Sequence, residues 1–195
     1  MATQAERRDA TIGAILEAAR HLFAAHGFAA TSIDDIAARA GVKKGAVYHH
    51  FNAKEEIFAR IFEELSAELA ELIPPAAQNA SDILDAVGRG TLKYLTAIAG
   101  PTFRQILLID GPAVLGWQAW RDVDARHFGG MIRVPLDLSL AGRATKREID
   151  AIAQLIAGAV TEAALVCATE ENSRQHARDL TSALQTMLKP FFTPV

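Results

Sequence analysis

Lys43, Lys44, Tyr48 and His49 fall within one seven-residue stretch, with Gly45 and Ala46 among them. Ammonium groups attract phosphate and can donate to the acceptor edge of guanine, and a tyrosine hydroxyl can donate to a phosphate oxygen. Glycine and alanine beside them permit close approach to a bulky polyanion. Lys54 follows in the segment Asn52-Ala53-Lys54-Glu55, which reads as a helix start, and the N–H groups there form a phosphate site. Other pairings carry less. Cys167 with His127 or His176 could join a nucleophile to a base, but Cys167 stands amid Ala164, Leu165 and Val166 with no local motif and reads as a buried, inert thiol. His49 and His50 are adjacent and cannot share a helix face, so they make no metal pair. His50 is expected to pack near the turn and His49 to lie near the polyanion's backbone. Asp34-Asp35 and Glu55-Glu56 read as first-turn acids favoured by the helix dipole. No catalytic residue, metal ligand or cofactor is expected.

These side chains need short helices to hold them, and the sequence supplies the signals. Almost every segment shows helical spacing, and no convincing period-2 strand occurs. A first helix is expected over Arg7–Ala25, with the stripe Ile12, Ile15, Leu16, Ala19, Leu22 and Phe23, and Gly27 at its end. Thr31-Ser32 can cap a short helix carrying Ile36 and Ala37. Ala40-Gly41-Val42 is a turn, and a second short helix covers Lys43 to about His50. Two helices this short are stable only when docked on a third. Val42 and Val47 anchor the second to the core, which leaves its other face outward, as a helix-turn-helix requires. A long helix follows to about Ile73, with the stripe Ile57, Phe58, Ile61, Phe62 and Leu65.

The ordered set Gly27-Phe28-Ala29-Ala30-Thr31-Ser32-Ile33-Asp34-Asp35-Ile36-Ala37, Ala40-Gly41-Val42, Gly45, Tyr48-His49-His50-Phe51 and Lys54-Glu55 resembles the DNA-binding signature of the TetR family. The resemblance covers about 50 N-terminal residues. The rest of the chain is similar only in layout. The resemblance implies an all-α fold of about nine helices: an N-terminal three-helix helix-turn-helix domain and a larger C-terminal helical bundle. It implies a sequence-specific transcriptional regulator, expected to be a repressor released by a small-molecule effector. It implies a homodimer on double-stranded, palindromic operator DNA. By the same resemblance Ser32, Lys43, Lys44, Gly45, Ala46, Tyr48, His49 and Lys54 take DNA-facing roles. Lys43 departs from the family pattern, which often has Ser or another small polar residue there. Lysine cannot cap the recognition helix, although it can add a phosphate contact.

The remaining sequence fits this frame. Pro74-Pro75 breaks the long helix, so the expected division is 1–73 for the DNA-binding region and 74–195 for a ligand-binding and dimerisation domain. Helices are expected from Ser81-Asp82 to about Ala99, from Pro101 to Ile109, from Trp117 to about Leu140, from Thr145 to about Glu170, and from Asn172-Ser173 to near Pro190. Gly111-Pro112 is expected to break the chain between two of them. The two last helices are rich in small side chains, and the family pairs them with their copies, which puts the dimer near 148–189. Phe103, Trp117, Trp120, Phe128 and Met131 supply apolar surface for an effector, with Arg104, Asp110 and His127 as polar partners.

Composition limits the alternatives. The chain has 195 residues, a net charge of -3, 50% hydrophobic and 22% charged residues, enough for a core and too acidic for a polybasic coat. Residues 1–60 hold 8 Lys and Arg against 7 Asp and Glu, so local placement matters more than the sum. A single cysteine builds no disulfide framework and fits a reducing cytoplasm. The N-terminus carries no signal-peptide apolar core, and no membrane-spanning helix is expected. An enzyme with a vestigial helix-turn-helix would need an activated nucleophile or a metal constellation. A module binding only protein would tolerate loss of Lys44 or Tyr48.

Overall fold

The computed structural model describes residues 3–169 and 172–192, and among them every regular element is helical. The elements are α1 (Gln4–Ala30), α2 (Ile33–Arg39), α3 (Lys44–His50), α4 (Lys54–Glu71), α5 (Ile73–Ala77), α6 (Ile83–Ile98) and α7 (Pro101–Phe103). A π-helical stretch, Arg104–Asp110, leads into α8 (Gly111–Leu115), α9 (Trp117–Ser139), α10 (Lys146–Thr169) and α11 (Ser173–Phe192). With the run 101–115 counted once and the five-residue α5 set aside, these are the nine helices implied by the resemblance.

Helix starts are written in capping chemistry. Thr3 with Glu6, Ser32 with Asp35, and Thr145 with Glu148 each form a reciprocal box in which the hydroxyl accepts the N3 N–H and the carboxylate accepts the cap N–H. Asp82 caps α6 by accepting from the Asp85 N–H at 2.8 Å. Those hydrogen bonds hold the Glu6, Asp35 and Glu148 carboxyls below their ordinary pKa, and Arg89 holds Asp85 at about 2.

The residues divide into two compact units. The first comprises the chain up to Leu65 together with Pro101–Trp120. Its core is the apolar stripe expected from the sequence: Ile15, Leu16, Ala19 and Phe23 of α1 meet Ile36, Val47, Phe51 and the α4 set Ile57, Phe58, Ile61, Phe62 and Leu65, all buried. Phe58 sits edge-on to both Phe23 and Phe28, at centroid distances of 5.5 and 5.2 Å. Leu107 and Trp120 close the far side, where the Trp120 indole N–H donates to the Leu107 carbonyl at 2.8 Å.

The second unit comprises Ser66–Gly100 and the chain from Arg121 onwards. Here α6 packs on α5, α10 and α11. Leu136, Leu140, Ile149, Ile156, Leu184 and Leu188 form its core. Gly88 on α6 leaves room for the Gln185 side chain of α11, which donates to the Leu84 carbonyl at 3.2 Å.

Pro74-Pro75 stands at the head of α5, inside the second unit. One expectation changes. Gly111-Pro112 does not interrupt the chain: Pro112 occupies the first turn of α8, where its missing N–H is not needed, and the break falls at Gly116, whose φ is +79°. α10 is long and apolar enough, by length and composition, to cross a membrane.

Gly111 lies where a Cβ would stand 2.6 Å from the Phe62 ring and 3.0 Å from Trp120. Gly111→Ala should therefore overpack the first unit and cost about 1–3 kcal/mol, read as a lower Tm by circular dichroism.

Candidate nucleic-acid interface

The helix-turn-helix begins at a corner. Gly27 interrupts α1 at φ +79° and ψ 165°, a conformation essentially reserved for glycine. Thr31 is buried there, and its hydroxyl donates to the Gly27 carbonyl at 2.9 Å. Ser32 then caps α2. The α2 helix ends in a Schellman motif: the Val42 N–H donates to the Ala37 carbonyl at 3.0 Å and the Gly41 N–H to Ala38 at 3.3 Å, with Gly41 at φ +68°. That motif sets the angle at which α3 leaves.

α3 is seven residues long and is held by one fully buried side chain, Val47. Ile36 and Ala37 of α2 are buried as well. With Val47 facing in, helical geometry leaves Lys43, Lys44, Gly45, Tyr48 and His49 exposed, and Ala46 half-buried at the margin. Tyr48 is 51% exposed. A Cβ on Gly45 would meet nothing within 4 Å, so the space over the helix is open there. Lys43 is the N-cap residue and makes no side-chain cap, as its type dictates. The Lys44 ammonium pairs with Asp34 at 2.8 Å, a bond between two exposed groups that raises the lysine pKa. An exposed pair of this kind is weak and exchangeable. His50 is half-buried with Nδ1 lacking a hydrogen-bond partner among the described residues, and its ring meets that of His49 at 5.0 Å.

Lys54 differs from expectation. Its ammonium turns inward, donates to the carbonyls of Phe28 at 2.7 Å and Thr31 at 2.6 Å, and lies 4.0 Å over the Phe28 ring. The Phe28 carbonyl also accepts the Thr31 N–H at 3.3 Å, and the Lys54 cation joins it to the Thr31 carbonyl at the end of α1. The Asn52 N–H is likewise taken, by the Glu56 carboxylate at 2.8 Å. The Lys54 ammonium thus serves the corner, which sequence spacing could not show because its partners lie 23 and 26 residues away.

The effector candidates separate into two groups. Phe103, Arg104, Asp110, Trp117 and Trp120 belong to the first unit, and His127, Phe128 and Met131 to the second. Trp117 is exposed and stacks on buried Trp120 at 5.0 Å. Phe103 is half-buried and Arg104 exposed. Asp110 is engaged inside its own unit, accepting the Phe28 N–H at 2.8 Å. In the second unit Phe128 lies edge-on to buried Tyr94 at 5.4 Å, His127 neighbours Phe128, and Met131 is half-buried. Sequence reasoning passed over Asp124. Burial raises its carboxyl pKa, offset in part by Arg121 and His127, and both burial and Asp124 push the Tyr94 hydroxyl up. An aspartate between Arg121 and Arg126 reads as surface in sequence, and no local signal distinguishes it. Cys167 is buried, and burial raises its thiol pKa.

Two family profiles match the chain. "Bacterial regulatory proteins, tetR family" covers residues 15–61, and "Tetracyclin repressor-like, C-terminal domain" covers residues 84–191. An HTH-type transcriptional repressor of Mycobacterium tuberculosis is 41% identical over 78 residues, so the chain spans 40% of the length of that curated relative and the match covers 40% of this chain. A TetR-family transcriptional regulator from Pectobacterium atrosepticum superposes with a TM-score of 0.79 at 29% identity, over 99% of both chains. RolR, solved in complex with the ligand resorcinol, shares the fold at a TM-score of 0.69 and 18% identity, covering 94% of this chain and 90% of its own.

Replacing Lys54 by Met keeps the stem and deletes the ammonium, leaving two carbonyls short of a charged donor. Stability should fall by about 2–3 kcal/mol in urea titrations, whereas a surface lysine would change it by under about 0.5 kcal/mol.

Proposed function

Because the chain belongs to the tetR family of bacterial regulatory proteins, we propose that it acts as a homodimeric repressor that reads a palindromic operator with α3 and is released by a small-molecule effector. The observation that carries this reading is the partition of α3. Val47 is fully buried, while Lys43, Lys44, Gly45, Tyr48 and His49 share the exposed face. A helix held by one side and bare on the other can enter a major groove. Lys43 and Lys44 supply phosphate attraction and candidate guanine contacts, Tyr48 a donor to phosphate, and Gly45 and Ala46 the close approach. Ser32 stands exposed at the head of α2, and its hydroxyl, which donates to Asp35 at 2.5 Å, would exchange that bond for one to a phosphate. No catalytic role is proposed. Cys167 is buried and burial raises its thiol pKa, which disfavours the thiolate a nucleophilic role would use.

Dimerisation is supported by the second unit. Of the apolar window in α10, 22% is buried within the chain. Leu155 is 75% exposed, Leu165 40% and Met187 of α11 66%. Gly158 and Ala159 are exposed beside them, which suits close helix approach. Apolar surface on this scale marks a partner face. A second copy, with α10 and α11 forming a four-helix bundle, gives the two-fold symmetry that a palindrome needs, with recognition helices about 34–36 Å apart. An effector can release such a dimer only by binding one conformer more tightly than the other. Phe128 beside Tyr94, His127 beside Asp124, and Met131 are the second unit's candidate contacts. RolR, of the same fold, holds resorcinol.

Two measurements test this. Fluorescence anisotropy should show tight, salt-sensitive binding to a duplex from beside the protein's own gene, or to one selected from a random pool, and weak binding to its scrambled form. Lys44→Ala should weaken both and lower the salt slope by about 1, while Tyr48→Ala weakens the selected duplex. Equal wild-type binding to selected and scrambled duplexes sinks the reading. In analytical ultracentrifugation Leu155→Glu should convert dimer to monomer, and a wild-type protein that sediments as a monomer at micromolar concentration refutes the dimer.

A further inference from the structure

The corner at Gly27 is held from outside the helix-turn-helix, by the π-helical stretch Arg104–Asp110. We propose that Asp110 is a positioning residue for DNA recognition: its carboxylate, aimed by the π register of that stretch, latches the Phe28 N–H and so fixes the corner from which α2 and α3 depart. The proposal rests on the regulatory reading above.

After the kink, the Phe28 N–H lies outside the α1 ladder and needs another acceptor. Asp110 Oδ2 accepts it at 2.8 Å, across 82 residues of sequence. The Gln105 side chain comes to the same place, with Nε2 3.2 Å from where a Cβ on Gly27 would be. Gln105 and Asp110 are five residues apart. In an α-helix, residues at that spacing point about 140° apart. In a π-helix, hydrogen bonding runs from i to i+5 and stacks them on one face. Only the π register presents both to the corner. Relaxation of the stretch to α geometry rotates one of them away, by about 100° for each residue of phase.

The latched peptide leads directly to α2. The Phe28 carbonyl is held by Lys54, its ring by Phe23 and Phe58, and Thr31 closes back on Gly27 before Ser32 caps the helix. Residues 101–120 are bounded in the chain by Gly100 and Arg121, both in the second unit. π-helical segments are rare and occur frequently at functional sites.

The test compares wild type, Asp110→Asn and Asp110→Ala, using a duplex selected from a random pool by the wild-type protein, its scrambled form, and amide hydrogen exchange at Phe28. Asp110→Ala should weaken binding to the selected duplex by about ten-fold or more and change scrambled-duplex binding by less than about two-fold, since no phosphate contact is lost. Phe28 exchange should speed up by about ten-fold or more. Asp110→Asn, which keeps an acceptor oxygen, should recover most of both. A simple loss of folded protein would lower binding to both duplexes together and leave their ratio unchanged. An unaltered ratio, or unaltered Phe28 exchange, overturns the proposal. If Asp110→Ala does not fold, Asp110→Asn alone must still speed Phe28 exchange by a few fold, and no change there is equally fatal. If the wild type selects no duplex, the regulatory reading fails, and Phe28 exchange in the two variants still decides the latch.

Discussion

The recognition elements depend on one backbone constraint, the turn at Gly27. A helix that stops inside a protein leaves donors and acceptors that must be satisfied. Here the chain leaves α1 through a conformation open to glycine, and the groups released are collected by side chains from elsewhere. Lys54 takes the Phe28 and Thr31 carbonyls, Thr31 takes that of Gly27, and Asp110 takes the Phe28 N–H. The corner thereby has a fixed geometry despite lying among short helices with little propensity of their own. Phe28 adds the apolar component, packed against Phe23 and Phe58 under the Lys54 ammonium.

From that corner the path to α3 is short and rigid. The Ser32–Asp35 box starts α2, and the Schellman motif at Gly41 ends it. Ile36 and Val47 tie the two helices to the core with no solvent exposure. A seven-residue helix with a single buried anchor cannot tolerate much variation in its support, and the polar network around Gly27 supplies that support. The outward face, by contrast, is open. The Lys44–Asp34 pair on it joins two exposed side chains and is easily exchanged for phosphate.

The second unit shows a different economy. α10 contributes Ile149 and Ile156 to the core while leaving Leu155 and Leu165 outside. α11 divides likewise, with Leu184 and Leu188 inside and Met187 outside. Such helices carry two apolar faces, and one chain can cover only one of them. The hydropathy that gives α10 the composition of a membrane span is the sum of those two faces.

Much of this was legible in the sequence because it is local. Capping residues, the glycines at 27 and 41, the 3.6-residue stripes of α1 and α4, and the inability of Lys43 to cap are all properties of neighbours within a few positions. They determined the all-helical class, the helix-turn-helix and the exposed face of α3, and the ordered signature around them placed the family. The tertiary structure decided what depends on distant partners. It turned the Lys54 ammonium inward, engaged Asp110 at the corner, buried the Trp120 indole against Leu107 and drew the run 101–120 into the first unit. It also replaced the expected break at Gly111-Pro112 by a π-helical stretch running into α8. Spacing along a chain reports which residues share a helix face. It does not report which carbonyl a lysine will find 26 residues away, or which N–H an aspartate will meet across 82, because those pairings are set by burial and by the path of a kinked backbone.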